Sequence, residues 1–352
     1  MRRQLVAAGL ALAAVAATVS PARAATPAGP PAKDDGVRVW SVRPAGPDGK
    51  PDARTHFTLQ SPPGGRISEK ALVTNLSKVP VTFAVYGTDA FNTTTGQFDL
   101  LSAEKKPRDV GAWMAFGSGA VTVGAGQSVA VPFTVNVPLT ATPGDHAGGV
   151  VVSLLGRGTD GQRLVNVDSR VAVRLYLRVP GNLVPRIGVG PVAVRYHGVA
   201  NPFGNGRVSV TYTVTNPGNI RLRSRQTLTV TGPFGAKLAT LAPADLPELL
   251  PGNQATFTAT LSRVFPAGPL TVTVDLQPYA DPQQPVGQTI HASTGHGYLW
   301  AVPWLLLGLV LLLAAGGVVF WRLRRRRTLS RLDAAMRAAR EDALRDKEQV
   351  SA

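Results

Sequence analysis

Asp145 and His146 stand side by side in PGDHAGG (143–149), and a carboxylate beside an imidazole is the pairing that general acid–base chemistry uses. Catalysis there needs a nucleophile or a second carboxylate supplied by the fold. Asp and Gly also serve a turn between two strands for conformational reasons of their own. The other histidines, His56, His197, His291 and His296, are scattered. His291 and His296 lie five apart in a Gly/Ser/Thr stretch with no further ligand nearby, too few for a metal centre. The chain has no cysteine, no GxSxG elbow, no HExxH pair and no phosphate-cradling glycine loop. The expectation is a protein that is not an enzyme and carries no cofactor or metal.

Recognition chemistry is better represented. The stretch Asp89–Ser118 carries Phe91, Phe98, Trp113 and Phe116 among Asn, Thr, Gly and Lys residues, with Asp89 and Asn92 at its start. Aromatic faces flanked by amides and hydroxyls suit carbohydrate, by C–H stacking with polar groups fixing the sugar. The same rings would equally close one end of a β-sandwich. Two basic stripes follow a strand period: Arg170, Arg174 and Arg178, with Tyr176 between the last two, and Arg221, Arg223 and Arg225. They could meet an anionic polymer, or be solvated strand faces that discourage edge-to-edge aggregation.

The elements that must position these residues are strands. Val129, Val131, Phe133, Val135 and Val137 alternate with other residues, as do Val171, Val173, Leu175, Leu177 and Val179. Shorter strands are expected at 38–42, 56–60, 69–75 and 80–88, with Gly/Pro/Asn/Asp clusters between them. After VPGNLVPRIGVGP (179–191), Val208, Val210, Tyr212 and Val214 repeat the alternation, and so do Leu270, Val272, Val274 and Leu276. The halves echo one another: LVTNLSKVPVTFAV (72–85) against TVTNPGNIRLRSRQTLTV (213–230), and GAGQSVAVPFTVNVP (124–138) against PGNQATFTATL (251–261). The fold expected is all-β, with two tandem immunoglobulin-like β-sandwiches at 37–179 and 180–280, the first enlarged at about residues 89–118.

The ends give the address. Met1–Ala24 reads as a secretory signal peptide, with Arg2-Arg3, an apolar run and Ala22-Arg23-Ala24; residues 25–36 form a disordered Pro/Ala-rich leader. Residues 281–298 read as a polar linker. Leu299–Trp321 has no charge, is long enough for the ~30 Å hydrocarbon layer, and is followed by Arg322 and Arg324–Arg327. Basic residues stay cytoplasmic, so the expectation is a single-pass cell-membrane protein, N-terminus outside and tail 322–352 inside. Ser330-Arg331-Leu332-Asp333 resembles a capping box and predicts a short, separate cytoplasmic helix.

The formal charge is +16, of which about half lies in the ectodomain: 24 basic against 16 acidic residues. That suits anionic wall polymers or phospholipid headgroups, not nucleic acid. With no disulfides available outside the cell, the stability must come from ordinary cores.

This order of features resembles the WxL-interacting proteins of Gram-positive bacteria. Residues 38–178 carry the closest likeness, through FTLQSPPGGRISEKALVTNLSKVPVTFAVYGTDAFNTTTGQF and GSGAVTVGAGQSVAVPFTVNVPLTATPGDHAGGVVVSL. The resemblance implies a peptidoglycan-binding first domain. It also implies a second domain that engages secreted or surface partners such as WxL proteins. The nearest matches to a binding site are the Asp89-Ala90 stretch and the 143–149 turn. Trp304-Leu305-Leu306 and Trp321-Arg322-Leu323 are WxL-like triplets, but both sit at the ends of the span, where tryptophan belongs anyway. The second expectation is a single-pass receptor or regulator signalling through its tail.

Overall fold

The strands appear where period-2 alternation falls between turn residues, in a computed structural model that describes residues 38–160, 163–201 and 203–350. The signal-peptide and leader assignments at 1–36 lie outside those residues.

The first β unit contains β1 (Trp40–Ala45), β2 (Phe57–Gln60), β3 (Arg66–Asn75), β4 (Val81–Asn92), β5 (Phe98–Leu100) and the one-turn helix α1 (Val110–Trp113). It continues with β6 (Met114–Phe116), β7 (Ala120–Val123), β8 (Ser128–Asn136), β9 (Gly144–Asp160) and β10 (Arg163–Val179). One sheet runs β1-β3-β8-β6, and the other runs β2-β10-β9-β4-β5, with β7 also on β4. Phe57, Val73, Phe83, Phe133, Val152 and Leu175 from the two sheets meet in one core.

The second unit holds β11 (Gly188–His197), β12 (Gly206–Thr215), β13 (Leu222–Thr231), β14 (Lys237–Leu241) and β15 (Leu246–Leu249). It ends with β16 (Gln254–Val264), β17 (Gly268–Tyr279) and β18 (Ser293–Ala301). Its sheets are β11-β12-β16 and β14-β13-β17-β18, and Val210, Tyr212, Leu228, Val272 and Leu276 fill its core.

The internal echo holds atom by atom. Asn75 Nδ2 donates to the Val79 and Val123 carbonyls, and its Oδ1 accepts from Ser77 N–H. Asn216 Nδ2 donates to the Ile220 and Leu249 carbonyls, and its Oδ1 accepts from Gly218 N–H. Each is a buried amide that closes a turn while bonding a second loop, so neither amide is stranded.

Two boundaries differ from expectation. Residues 293–301 are not linker: β18 pairs with β17 in register, Leu270 opposite Leu299 and Gly268 opposite Ala301. Two of its inward positions, Gly295 and Gly297, are glycines because there is no room for more. A Cβ on Gly295 would collide with Val189, and one on Gly297 with Val194 across the sandwich. The apolar helix therefore starts at Trp304, behind Pro303, and not at Leu299. It then runs unbroken to Val350 as α2, 47 residues long, so the tail is not a separate helix. Ser330 caps nothing: its hydroxyl donates back to the Arg327 carbonyl, as Thr328 does to Arg324. No proline follows Pro303, and the Arg- and Ala-rich run after Trp321 is made of strong helix formers, so nothing breaks the helix. By length and composition this is one helix able to cross a membrane, with mean hydropathy 2.4 in its apolar window and none of that window buried.

Candidate functional site: the junction between the β units

The end of β4, the start of β9 and the end of β10 face the second unit, and most of the candidate site residues lie there. β10 alternates as expected, with Val173, Leu175, Leu177 and Val179 in the first core. Toward the end of the strand its opposite face is not solvated either, because Tyr176 and Arg178 are buried as well.

Asp145 sits directly across the ladder from Arg178. Its Oδ1 accepts from Arg178 Nε at 2.6 Å and its Oδ2 from an Arg178 Nη at 2.8 Å, a two-pronged pair. The same Oδ2 accepts the backbone N–H of Arg221 from the second unit, and Asp145 N–H donates to the Asn219 carbonyl at 2.7 Å. Arg178 continues to the Gln284 carbonyl at 2.7 Å. The Arg221 side chain, 1% exposed, lies over the Tyr176 ring at 3.8 Å and donates to Asp281 and Gln284. Asp145 thus ties the Arg178 guanidinium to the backbone of Arg221 across the junction, and the Arg221 guanidinium is itself paired with Asp281, as charges removed from water need. Ala147, Tyr176 and Leu250 form a small apolar cluster beside them, with Ala90 and Phe98 packed on it.

Asn92 is a second tie. Its Nδ2 donates to the Glu248 carbonyl, its Oδ1 accepts from Leu250 N–H, and its own N–H donates to Asn253 Oδ1. Asp89 faces inward and organises α1: its carboxylate accepts N–H bonds from Arg108, Asp109 and Gly111 at 2.6–2.9 Å. Outside it, Leu101, Lys105, Lys106 and Arg108 line an open depression of about 400 Å³.

His146 is held from both sides, Nδ1 against Asp109 Oδ1 at 2.6 Å and Nε2 against the Thr142 carbonyl at 2.9 Å, with the Trp113 ring 4.7 Å away. Two acceptors on one ring call for both nitrogens to donate, which is the imidazolium. Burial opposes the charge, yet the Asp109 bond and charge outweigh it, with help from the Thr142 carbonyl and Asp145, so the net shift is upward. His56, edge-on to Tyr176, is pushed down by burial and then by the Arg221 charge.

Of the aromatics in 89–118, Trp113 and Phe116 pack on the first core and Phe98 lies under Arg174, ring to guanidinium 4.4 Å. Phe91 is half-buried on β4, on the face opposite its neighbours Ala90 and Asn92. The basic stripes divide. Arg178 and Arg221 are buried in the junction and cannot reach a polymer, because the second unit covers the face that strand periodicity alone would leave wet. Arg170 donates to the Leu100 and Leu101 carbonyls, while Arg174, Arg223 and Arg225 are exposed. Sequence reasoning missed Arg221 as a junction residue, and also Asn219, Gln284 and Asp281. Buried charge was legible only in the adjacency of Asp145 to a strand that carries Arg178.

The junction leaves a pocket of about 190 Å³ lined by His56, Arg223, Glu248, Tyr279 and Asp281. Among the described residues, no group of His, Cys, Asp or Glu is arranged to hold a metal ion.

No protein-family model matches this chain, and neither does any curated protein sequence. Among solved structures it is similar to a chain of the chaperone–tip adhesin complex of CFA/I fimbriae biogenesis, at 10% identity and TM-score 0.35, covering 75% of this chain and 99% of that one. It is similar to the class 5 fimbriae chaperone CfaA at 12% identity and TM-score 0.34, covering 75% and 100%. The E. coli chaperone DraB gives 12% and 0.32, covering 74% and 97%.

Proposed function

We propose that this is a non-enzymatic, membrane-anchored surface protein. Its two immunoglobulin-like units form one stiff body that binds cell-wall peptidoglycan or other surface proteins. The observation that carries the reading is the use made of the reactive groups. Asp89, Asp145 and His146, the residues best suited to chemistry, are occupied in bonds that hold the fold and the junction together. What stays open is a cationic depression, with Lys105, Lys106 and Arg108 free to meet an anionic wall polymer and Phe91 half-exposed nearby in sequence. The resemblance of residues 38–178 to WxL-interacting proteins supports peptidoglycan as the ligand, and the exposed apolar helix supports anchoring.

Retention of the detergent-solubilised full chain on purified peptidoglycan tests this. Binding at low salt that weakens in Lys105→Ala/Lys106→Ala/Arg108→Ala supports the reading, and no retention removes the wall ligand. A receptor role is favoured by one feature: α2 carries the anchor into the tail without a break, a rigid path between the two. Deleting 328–352 with surface display intact should abolish a signalling phenotype and leave simple anchoring unaffected.

A further inference from the structure

The end of the second unit from which α2 departs has a surface unlike the rest of the ectodomain. Strand pairing brings three loops to that end: β11–β12 (198–205), β13–β14 (232–236) and β16–β17 (265–267), since Gly206 pairs with Val264, Thr231 with Thr271 and Gly268 with Ala301. Each loop carries an outward phenylalanine: Phe203 at 69% exposure, Phe234 at 108% and Phe265 at 39%. Tyr298 and Trp300 project from the last strand on the way to the helix. Among the described residues before the helix, every exposed aromatic side chain is at this end.

The charge is as one-sided as the rings. Arg195, Arg207, Lys237 and Arg263 are exposed there, while residues 193–208, 231–241, 258–274 and 295–304 contain no Asp or Glu. Phe234 and Arg263 also hold φ of +58° and +61°, a region that side chains enter at a cost.

The helix fixes what lies below. Only Val302 and Pro303 separate β18 from α2, so this end cannot stand off from whatever the helix enters. Val199, Pro266, Leu305 and Leu306 line one pocket, which places the β11–β12 and β16–β17 loop tips level with the first helical turn. The apolar helix is also short: Trp304–Trp321 rises about 27 Å at ~1.5 Å per residue, against ~30 Å of hydrocarbon. A short span draws its flanking residues into the interface.

On the reading of α2 as a span, we propose that this end of the second unit is a bilayer-docking surface. Phe203, Phe234 and Phe265 enter the headgroup boundary of an anionic membrane, and Arg195, Arg207, Lys237 and Arg263 meet its phosphates. The contact holds the ectodomain down beside its own anchor, in the way interfacial aromatics and basic residues hold peripheral helices.

The absence of cysteine makes the test direct. Phe203→Cys, Phe234→Cys and Phe265→Cys are each labelled with an environment-sensitive NBD probe in the full chain, reconstituted into phosphatidylcholine–phosphatidylglycerol vesicles. Leu311→Cys, within the apolar helix, and Leu76→Cys, in the β3–β4 turn at the far end of the first unit, serve as references. The three loop probes should be blue-shifted and lose intensity with headgroup-proximal doxyl lipid, whereas the Leu76 probe should respond to aqueous iodide alone. Adding Arg207→Ala/Lys237→Ala/Arg263→Ala should reduce the lipid quenching. If the Leu311 probe is quenched by lipid while the loop probes behave like the Leu76 probe, the docking surface is overturned and the span stands. If the Leu311 probe is not quenched, the span falls and the proposal with it. Loop probes shielded from both lipid and iodide would mean a protein covers this end, which also overturns the proposal.

Discussion

Asp145 and Arg178 occupy opposed positions on neighbouring antiparallel strands, and their two-pronged ion pair is closed off from water by the second β unit. One carboxylate thereby serves a cross-strand partner within its own unit and the backbone of Arg221 in the next. Removing one member of a buried pair strands the other, at about 3–5 kcal/mol. Asp145→Ala should cost at least as much as Arg178→Ala, since it leaves Arg178 without its carboxylate and the Arg221 backbone N–H without its acceptor. Denaturant unfolding of the two single variants and the double variant checks this. Additive single effects would show that the pair is not coupled.

The two shifted histidines bend the pH–stability curve in opposite directions. The His146 pKa is raised above its ordinary 6.5 in the folded chain, so its contribution is full below about pH 6.5 and is lost as pH climbs through the folded value. The His56 pKa is lowered, so stability falls as pH drops below 6.5, where the unfolded chain takes up a proton that the folded one resists. His146→Gln should flatten the alkaline limb above pH 6.5, and His56→Gln the acid one below it. Melting temperatures on both sides of pH 6.5 read both, and an unchanged alkaline limb in His146→Gln would exclude its role.

Close packing of β18 on β11 leaves no volume at Gly297, where an added Cβ meets Val194 and Val192. Gly297→Val should therefore cost about 1–3 kcal/mol as an overpacked site. Gly287→Ala, with open space around it, should be near neutral. Equal small effects at both positions, read by thermal melts, would mean that 293–301 is not a packed strand.

Leu311 is exposed in the middle of the apolar run of α2. An arginine there is opposed by about 2.5–3.5 kcal/mol on insertion scales, so Leu311→Arg should release much of the protein from membranes in an alkaline carbonate wash. Full retention would place the anchor elsewhere.

Much of the architecture was legible because strands and greasy helices write their period directly into the chain. Val131, Phe133 and Val135 on β8, and Leu270, Val272 and Val274 on β17, needed no tertiary information. The paired asparagines, Asn75 and Asn216, were visible as a repeat. Carried to its end, that repeat would have demanded a partner strand after β17, as β10 follows β9. It was hidden because β18 buries glycine where a strand usually buries valine, so the alternation in STGHGYLWA runs inverted, with small residues inward and large ones outward.

The sequence by itself determined the β character, the internal duplication and the apolar helix with its arginine border, because each rests on neighbours a few residues apart. Only the tertiary structure decided that Arg178 and Arg221 are buried, that Asp145 and Asn92 bind the units together, and that Phe203, Phe234 and Phe265 share one end. Those facts depend on which surface of one unit covers the other, and on loops some 30 residues apart meeting in space. Burial and juxtaposition are properties of packed neighbours, and a linear pattern does not encode who those neighbours are.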